Sequence, residues 1–307
     1  DELSLLDFIN NNDNNVIIID SLIKKIHLKK LRSSLPTYEI DAKEHNKNIA
    51  KALDIVNFFE DTNVTKLNKV IVIGGGILQD LGAFACSMYK RGIPWVYVPT
   101  TLLGMTDSCV GGKTGLNYRN KKNMLALFSA PKEVLINLKF LQTLSKRDFL
   151  SGLGEALRLH ITGGIKYIEK FEKKLNAAIK GNDIAIKSII LDSLIVKKAV
   201  VEVDEFEKNY RRSMNYGHSI GHALEAITKF SFPHGMAVSM GICVENLLAS
   251  NYYKLNKDIC KRIEILAKKL IDKEAMTILK KVKNKPFSEI LKSDKKTIGS
   301  TLKLAVP

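Results

Sequence analysis

Short apolar runs alternate with segments of helical spacing through the first half of the chain. Val16–Asp20 (VIIID), Val70–Ile73 (VIVI) and Trp95–Val98 (WVYV) are rich in β-branched or aromatic residues and end at turn residues. Continuous apolar runs of this length are the pattern of strands covered on both faces of a parallel sheet. Between them, Glu44–Phe59 and Gln79–Tyr89 place apolar residues at helical intervals. This alternation predicts a Rossmann-like, doubly wound α/β nucleotide-binding domain over residues 1–139. From Phe140 the pattern is helical almost throughout: Lys146–Leu159, Lys166–Ile179, Asp183–Val203, His218–Thr228, Ala237–Tyr252, Asp258–Leu270 and Lys273–Val282. Residues 140–307 therefore read as an all-α domain, and a ligand cleft is expected where the two meet. No internal repeat or low-complexity linker interrupts the pattern.

Composition narrows the class. A chain of 307 residues can bury two cores. The longest apolar stretch, Met236–Ala249, contains Glu245 and is too short to cross a bilayer, so no membrane partner is expected. No positively charged, then apolar, segment opens the chain, and with Asp1 rather than Met at its head nothing follows about what precedes it. The net charge of +16 raises the question of nucleic acid. The lysines, however, are interleaved with leucine, isoleucine and glutamate in helical-looking segments such as Lys24–Lys30 and Lys268–Lys285, and no RNP-like, zinc-finger or helix-turn-helix pattern accompanies them. They read as a solvated basic surface that can help collect an anionic substrate, not as a nucleic-acid face. Cys86, Cys109, Cys243 and Cys260 form no C-x-x-C pair and read as the reduced thiols of a cytoplasmic protein.

Three motifs carry chemistry. Gly74-Gly75-Gly76 follows a predicted strand and opens a helix, with Asp80 four residues beyond. Glycines there let the backbone approach a pyrophosphate, although a strand-to-helix turn also uses glycine for steric reasons, and the triplet is not a G-x-G-x-x-G. Pro99-Thr100-Thr101 ends the next strand and leads into Asp107, Gly111-Gly112, Lys113, Asn117, Lys122 and Asn123. Two lysines, asparagines and a glycine turn can hold phosphate oxygens, and Asp107 can orient a lysine or a sugar hydroxyl; the plainer reading is a polar surface loop. His218 and His222 lie four apart on one helical face, His234 precedes Gly235, and Glu155 sits in an earlier helical segment. Imidazoles and a carboxylate suit zinc, and a catalytic ion keeps one position open.

Taken together, GGG…D, YKRGI, VPTTLL…D…GGKTG.N, KKN, SGLGE, DEFEK..R, MNYGHSIGHALE and HG.AV closely resemble, in order and spacing, 3-dehydroquinate synthase and the wider sugar phosphate cyclases. The match runs from about Asp20 to Gly299. It implies a dehydroquinate synthase-like fold and a metal held by Glu155, His218 and His234, with zinc or cobalt as the ion. It implies NAD bound by Asp20, Glu44, Lys47, Gly74, Gly75, Gly76, Asp80, Thr100, Thr101, Asp107 and Thr143. The sugar phosphate would meet Arg91, Lys122, Asn123 and a lysine of the Lys295-Lys296 pair, with Lys113, Arg158, Lys197, Arg211, Asn215 and His222 at the reacting groups. Arg91 is expected to reach across a homodimer interface. The implied reaction passes a hydride to NAD, eliminates phosphate, returns the hydride and closes a carbocycle by an intramolecular aldol step.

Some positions depart from the resemblance. Arg158 stands where dehydroquinate-forming members carry lysine, Met236 where a glutamate is usual, and Asn137 where an aspartate is usual. Lys197 and Arg211 suit a substrate carboxylate, which favours the heptulosonate phosphate of the shikimate route. The alternatives are cyclisation of another sugar phosphate, an NAD- and metal-dependent polyol dehydrogenase, which the Lys113–Asn123 block speaks against, and an inactive homologue.

Overall fold

The computed structural model of the chain describes residues 2–10, 14–29, 34–119, 121–253, 255–292, 297–298, 301–302 and 304–305. Lys295 and Lys296 lie outside the described residues. The chain divides into two compact units, Asp1–Leu144 and Ser145–Pro307.

The first unit contains α1 (Glu2–Asn10), β1 (Asn15–Asp20), α2 (Ser21–His27), β2 (Thr37–Ile40), α3 (Ile49–Asp61), β3 (Lys69–Gly74), α4 (Gly76–Met88), β4 (Trp95–Pro99), β5 (Lys113–Tyr118), β6 (Lys121–Phe128) and β7 (Glu133–Val134). Five strands form a parallel sheet in the order β2-β1-β3-β4-β7. The three expected strands are its centre, and Val16–Ile19, Val70–Ile73 and Trp95–Val98 are all buried, as strands covered on both faces require. The chain moves from β1 out to β2, then crosses back to β3 on the other side of β1. Such a reversal opens a crevice beyond the carboxyl ends of β1 and β3, where Asp20 and Gly74–Gly76 stand.

Two expectations for this unit need correction. Glu44–Phe59 is not one helix: a 3₁₀ turn over Glu44–Asn46 comes first, and α3 begins after Asn48, whose Oδ1 accepts from Lys51 N at 2.9 Å. An N-cap residue inside an apolar period ends one element and starts another. The segment after Gly112, whose plainer reading is a polar surface loop, is the antiparallel hairpin β5–β6. Much of β6 is exposed, so its sequence lacks a buried apolar face. The edge strands β2 and β7 likewise carry too few apolar residues to register.

The expected boundary at residue 139 falls inside a 3₁₀ segment, Leu138–Thr143. Phe140 is buried with its ring 5.1 Å from that of His27, and Thr143 Oγ1 lies 2.6 Å from His27 Nε2. These contacts keep the segment with the first unit, and the division comes after Leu144.

The second unit contains α5 (Lys146–Thr162), α6 (Ile165–Ile179), α7 (Asp183–Val203), α8 (His218–Ile227), α9 (His234–Tyr252), α10 (Lys257–Lys268), α11 (Lys273–Leu279) and α12 (Asn284–Lys292), then a two-residue ribbon, β8 (Thr297–Ile298) with β9 (Thr301–Leu302). Among the described residues of this unit, that ribbon is the only strand structure, where an all-α domain was expected. Helix α9 starts at His234, one turn before the expected Ala237, because Pro233 sets the turn that opens it. Its backbone meets two neighbours directly. A Cβ on Gly235 would stand 1.8 Å from Ser151 O of α5, and one on Gly241 would stand 2.0 Å from Gly217 O, just before α8. Only glycine permits either approach. Among the described residues no helix is long and apolar enough to cross a membrane.

His160 of α5 is fully buried, with Nδ1 2.7 Å from Ala156 O and its ring 4.9 Å from that of Phe171. Burial pushes the imidazole down to about 4. The unfolded chain binds this proton near the ordinary value of 6.5, so the contribution of neutral His160 is complete above that pH and is lost as pH falls towards 4. His160→Gln is therefore expected to reduce the stability lost between about pH 6.5 and 4.5 by about 2 kcal/mol, measured by urea unfolding. An equal loss in both proteins would refute the assignment.

Candidate active site

In the second unit, α5, α8 and α9 bring four polar groups together. Glu155, on α5, is buried. Its Oε1 lies 3.2 Å from His234 Nε2 and 3.7 Å from His218 Nε2, yet makes no well-directed hydrogen bond. His218 and His234 open α8 and α9, and His222 lies one turn along α8. The ligand nitrogens of His218, His222 and His234 all lie within 4.8 Å of one another.

The orientation of the imidazoles follows from their outer partners. His218 Nδ1 donates to Tyr216 O at 3.2 Å, and His234 Nδ1 donates to Glu225 Oε2 at 3.0 Å. Both rings thus turn Nε2 towards Glu155, the arrangement by which carboxylate and carbonyl partners fix metal-bound histidines. The local field favours a cation: burial pushes His234 down, but Glu225 and Glu155 outweigh it and raise the ring to about 10. Burial pushes the Glu155 carboxyl up, but Arg158 and the two histidines together hold it well below the usual range. An anionic buried oxygen without a directed donor, facing two imidazole nitrogens, fits a divalent ion. His222, the most exposed of the three histidines, stands at the open side.

Sequence reasoning missed Glu225, Tyr216 and Glu245. Glu245 Oε2 accepts from Gly217 N at 2.6 Å, and Tyr216 donates its hydroxyl to Asn246, so α9 also clasps the turn that aims His218. The signals present were Glu225 three residues after His222 and a single glutamate in the apolar run of α9. Arg158, expected at the reacting groups, is buried against Glu155, with Nε 2.7 Å from Oε2. Lys197 and Arg211 are buried cations; Arg211 donates to Glu205 O, and its backbone N to Asp204 Oδ2 at 3.0 Å. Asn215 donates to Glu207 Oε1 at 2.9 Å.

In the first unit, the predicted cofactor residues gather at the carboxyl edge of the sheet. Asp20 caps α2, accepting from Leu22 N at 2.9 Å, and burial raises its carboxyl above the usual value. Gly75 is the N-cap of α4, and no side-chain hydrogen bond caps that helix. A Cβ on Gly75 would meet Thr101 Cγ2 at 3.0 Å, whereas one on Gly76 would have nothing within 4 Å. A helix start without a side-chain cap and with open space over its first glycine fits an anionic pyrophosphate. Thr100 is buried, donating its N–H to Gly74 O at 3.0 Å, and Thr101 Oγ1 accepts from Gly104 N at 3.1 Å. Asp107 lies in a π-helical turn, Gly104–Ser108, tied to α4 through Gln79 and Ser108. Thr143 meets His27 as described.

Glu44, Lys47 and Asp80 also brace the hairpin. Lys47 Nζ lies 2.5 Å from Asp80 Oδ2 and 2.8 Å from Asn123 Oδ1. Gly115 N donates to Asp80 Oδ1 at 3.1 Å, and Asn117 donates to Glu44 Oε1 at 2.8 Å. Lys122 Nζ lies 3.9 Å from Glu44, while Lys113 is exposed at the start of β5. Both oxygens of Asp80 therefore have protein partners. Arg91 is elsewhere: it is exposed, with φ +61°, just before β4. The 13 residues of α4 separate it from the glycine turn, roughly 20 Å of helix.

Two substitutions test these assignments. Gly76→Val should leave folding intact while lowering NAD affinity at least about tenfold, because the new side chain enters the space over the helix start; Gly75→Val would first have to displace Thr101. Unchanged NAD affinity by calorimetry would remove this turn from the cofactor site. Glu225→Ala should weaken zinc binding by roughly 10–100-fold through loss of the His234 partner. Full zinc retention against a competing chelator would show that Glu225 does not orient a ligand.

Residues 37–151 match the family model described as 3-dehydroquinate synthase N-terminal, and residues 152–297 match 3-dehydroquinate synthase C-terminal. A 3-dehydroquinate synthase from Helicobacter pylori (strain G27) is 35% identical over 300 residues, covering 95% of this chain and 84% of its own length. The fold is shared with ValA, a 2-epi-5-epi-valiolone synthase from Streptomyces hygroscopicus subsp. jinggangensis 5008 solved with NAD+ and Zn2+ bound, at TM-score 0.78 and 24% identity over 91% of this chain and 78% of that one. It is shared too with a 2-deoxy-scyllo-inosose synthase solved with carbaglucose-6-phosphate, NAD+ and Co2+, at TM-score 0.77 and 22% identity over 92% of this chain and 79% of that one. With both family halves matched in sequence order and a relative 35% identical over 95% of this chain, the chain belongs to the 3-dehydroquinate synthase family.

Proposed function

We propose that this chain is an NAD- and divalent-metal-dependent cyclase that eliminates phosphate from 3-deoxy-arabino-heptulosonate 7-phosphate and closes 3-dehydroquinate. The observation that carries the reading is the convergence of Glu155 Oε1 with the Nε2 atoms of His218 and His234, in a chain of this family. Glu155, His218 and His234 hold the ion, zinc or cobalt as in the structural neighbours. The amides at the start of α4 receive the NAD pyrophosphate. When bound, NAD takes up a hydride and gives it back, and the ion polarises the oxygen at the carbon that is oxidised.

The chain's own residues then bind and orient one flexible anion. Lys113, Lys122 and Asn123, on a hairpin braced by Lys47 and Glu44, supply the donors for phosphate oxygens. Lys197 and Arg211 supply buried positive charge for a carboxylate, which is why a heptulosonate is preferred to a carboxylate-free sugar phosphate. His222 and Asn215 hold substrate hydroxyls. Fixing the reacting carbons relative to one another, and setting cations where negative charge develops, are the main contributions asked of the protein. The site is read as cytoplasmic and homodimeric. Arg91 lies at the end of the sheet opposite the glycine turn, so it serves substrate only from the partner chain.

Purified protein with NAD and zinc or cobalt should release one phosphate per heptulosonate phosphate consumed and form a cyclic product without net NADH, followed by mass spectrometry. Net NADH from a simple polyol would support a dehydrogenase instead, and turnover only of carboxylate-free sugar phosphates would reassign the substrate. Arg91→Ala and His218→Ala should each be inactive alone, and an equimolar mixture after subunit exchange should regain about a quarter of the wild-type activity, since about half of its dimers are mixed and each of these carries one intact composite site of two. No recovery on subunit exchange would place Arg91 outside the site.

A further inference from the structure

Arg158 and Glu155 sit three residues apart on α5, with side chains only 3% and 1% exposed. Arg158 Nε donates to Glu155 Oε2 at 2.7 Å, while Oε1 is the oxygen turned towards His218 and His234. We propose that Arg158 is a positioning residue of the metal centre, confining Glu155 to one coordinating oxygen and setting a fixed positive charge against the divalent ion. This rests on the metal-site reading above.

Two physical consequences follow. A guanidinium is planar and remains charged, so Oε2 can reach the ion only by giving up a charge-assisted hydrogen bond in a dry setting. Glu155 therefore binds through Oε1 alone, which leaves coordination positions for substrate oxygens. The second consequence is electrostatic. Glu225 is an anionic outer partner and strengthens its ligand, His234. Arg158 is a cationic outer partner and opposes the ion, lowering its retention while leaving it more electron-poor and a stronger Lewis acid. Loss of an ordinary outer partner weakens metal binding, whereas loss of Arg158 should tighten it. The sign of the change separates this role from simple support of the Glu155 rotamer.

Cobalt(II) alone is the probe, titrated against a competing chelator and followed by its visible absorption. Arg158→Met is expected to bind Co2+ roughly tenfold or more tightly than wild type, with a weaker visible band as Oε2 joins the coordination sphere. Its metal-free form should melt lower and gain more on Co2+ addition than wild type does. If metal-free Arg158→Met does not fold, Arg158→Lys carries the test. It keeps the charge without the fork, so affinity should stay within about threefold of wild type while the spectrum changes. Weaker binding by Arg158→Met would reduce Arg158 to a support for Glu155. Wild-type affinity and spectrum in both variants would overturn the proposal while leaving the metal site standing. No Co2+ uptake by wild type, or full uptake by His218→Ala, would overturn the metal-site reading and this proposal together.

Discussion

The second unit depends on α9 packing without side chains between its backbone and that of its neighbours. Gly235 against Ser151 O of α5, and Gly241 against Gly217 O before α8, leave less room than a single methyl group would need. This approach lets Glu155 on α5 come within 3.2 Å of His234 at the head of α9. It also lets Glu245, further along α9, accept from Gly217 N and fix the turn that aims His218. Ordinary helix packing at 8–10 Å with larger side chains would separate these donors by several ångströms. The HG pair of the sequence is thus one device: the glycine sets the approach and the adjacent histidine uses it.

The first unit reaches its site by topology instead. The strand reversal around β1 determines where the carboxyl-edge crevice lies, and the glycines after β3 deliver an uncapped helix start to it. The hairpin is held to this edge by a network in which Lys47 joins Asp80 to Asn123. Residues expected to divide between cofactor and substrate are therefore mechanically linked. A change at Lys47 would disturb both sets, since the ion pair is largely shielded from water and loss of one partner leaves the other uncompensated.

What the sequence made legible follows from the range of each signal. The central strands were readable because burial on both faces demands continuous apolar runs, and α7 was readable because its period runs unbroken from Asp183 to Val203. The hairpin and edge strands were not, because exposure removes the apolar face while pairing is made by backbone atoms common to every residue. The histidine spacing on α8 was local and visible. Glu155 was visible only as a carboxylate in an earlier helical segment; its assignment as a ligand came with the family resemblance, since nothing in its neighbourhood distinguishes it from another helical glutamate. Glu225 acts across a loop between two helices and Glu245 acts on a backbone amide 28 residues away, so neither role is written in a local pattern. The pairing of Arg158 with Glu155 was within reach of the i,i+3 rule, but that rule does not say that the pair is buried.

Burial of that pair sets the charge balance of the site. Two carboxylates, Glu155 and Glu225, and one guanidinium, Arg158, are buried here, and their formal charges sum to one negative unit. His234 is raised to about 10, the direction in which Glu225 and Glu155 favour a cation at this place. A divalent ion reverses the sign, leaving the site cationic by one unit. Without Arg158, the same ion would leave the ligand set neutral. A site that must bind an anionic sugar phosphate and stabilise negative charge on its oxygens gains from the cationic state, at the expense of holding the ion less tightly. Neutral Met236, buried in the first turn of α9, adds no further carboxylate to offset that charge.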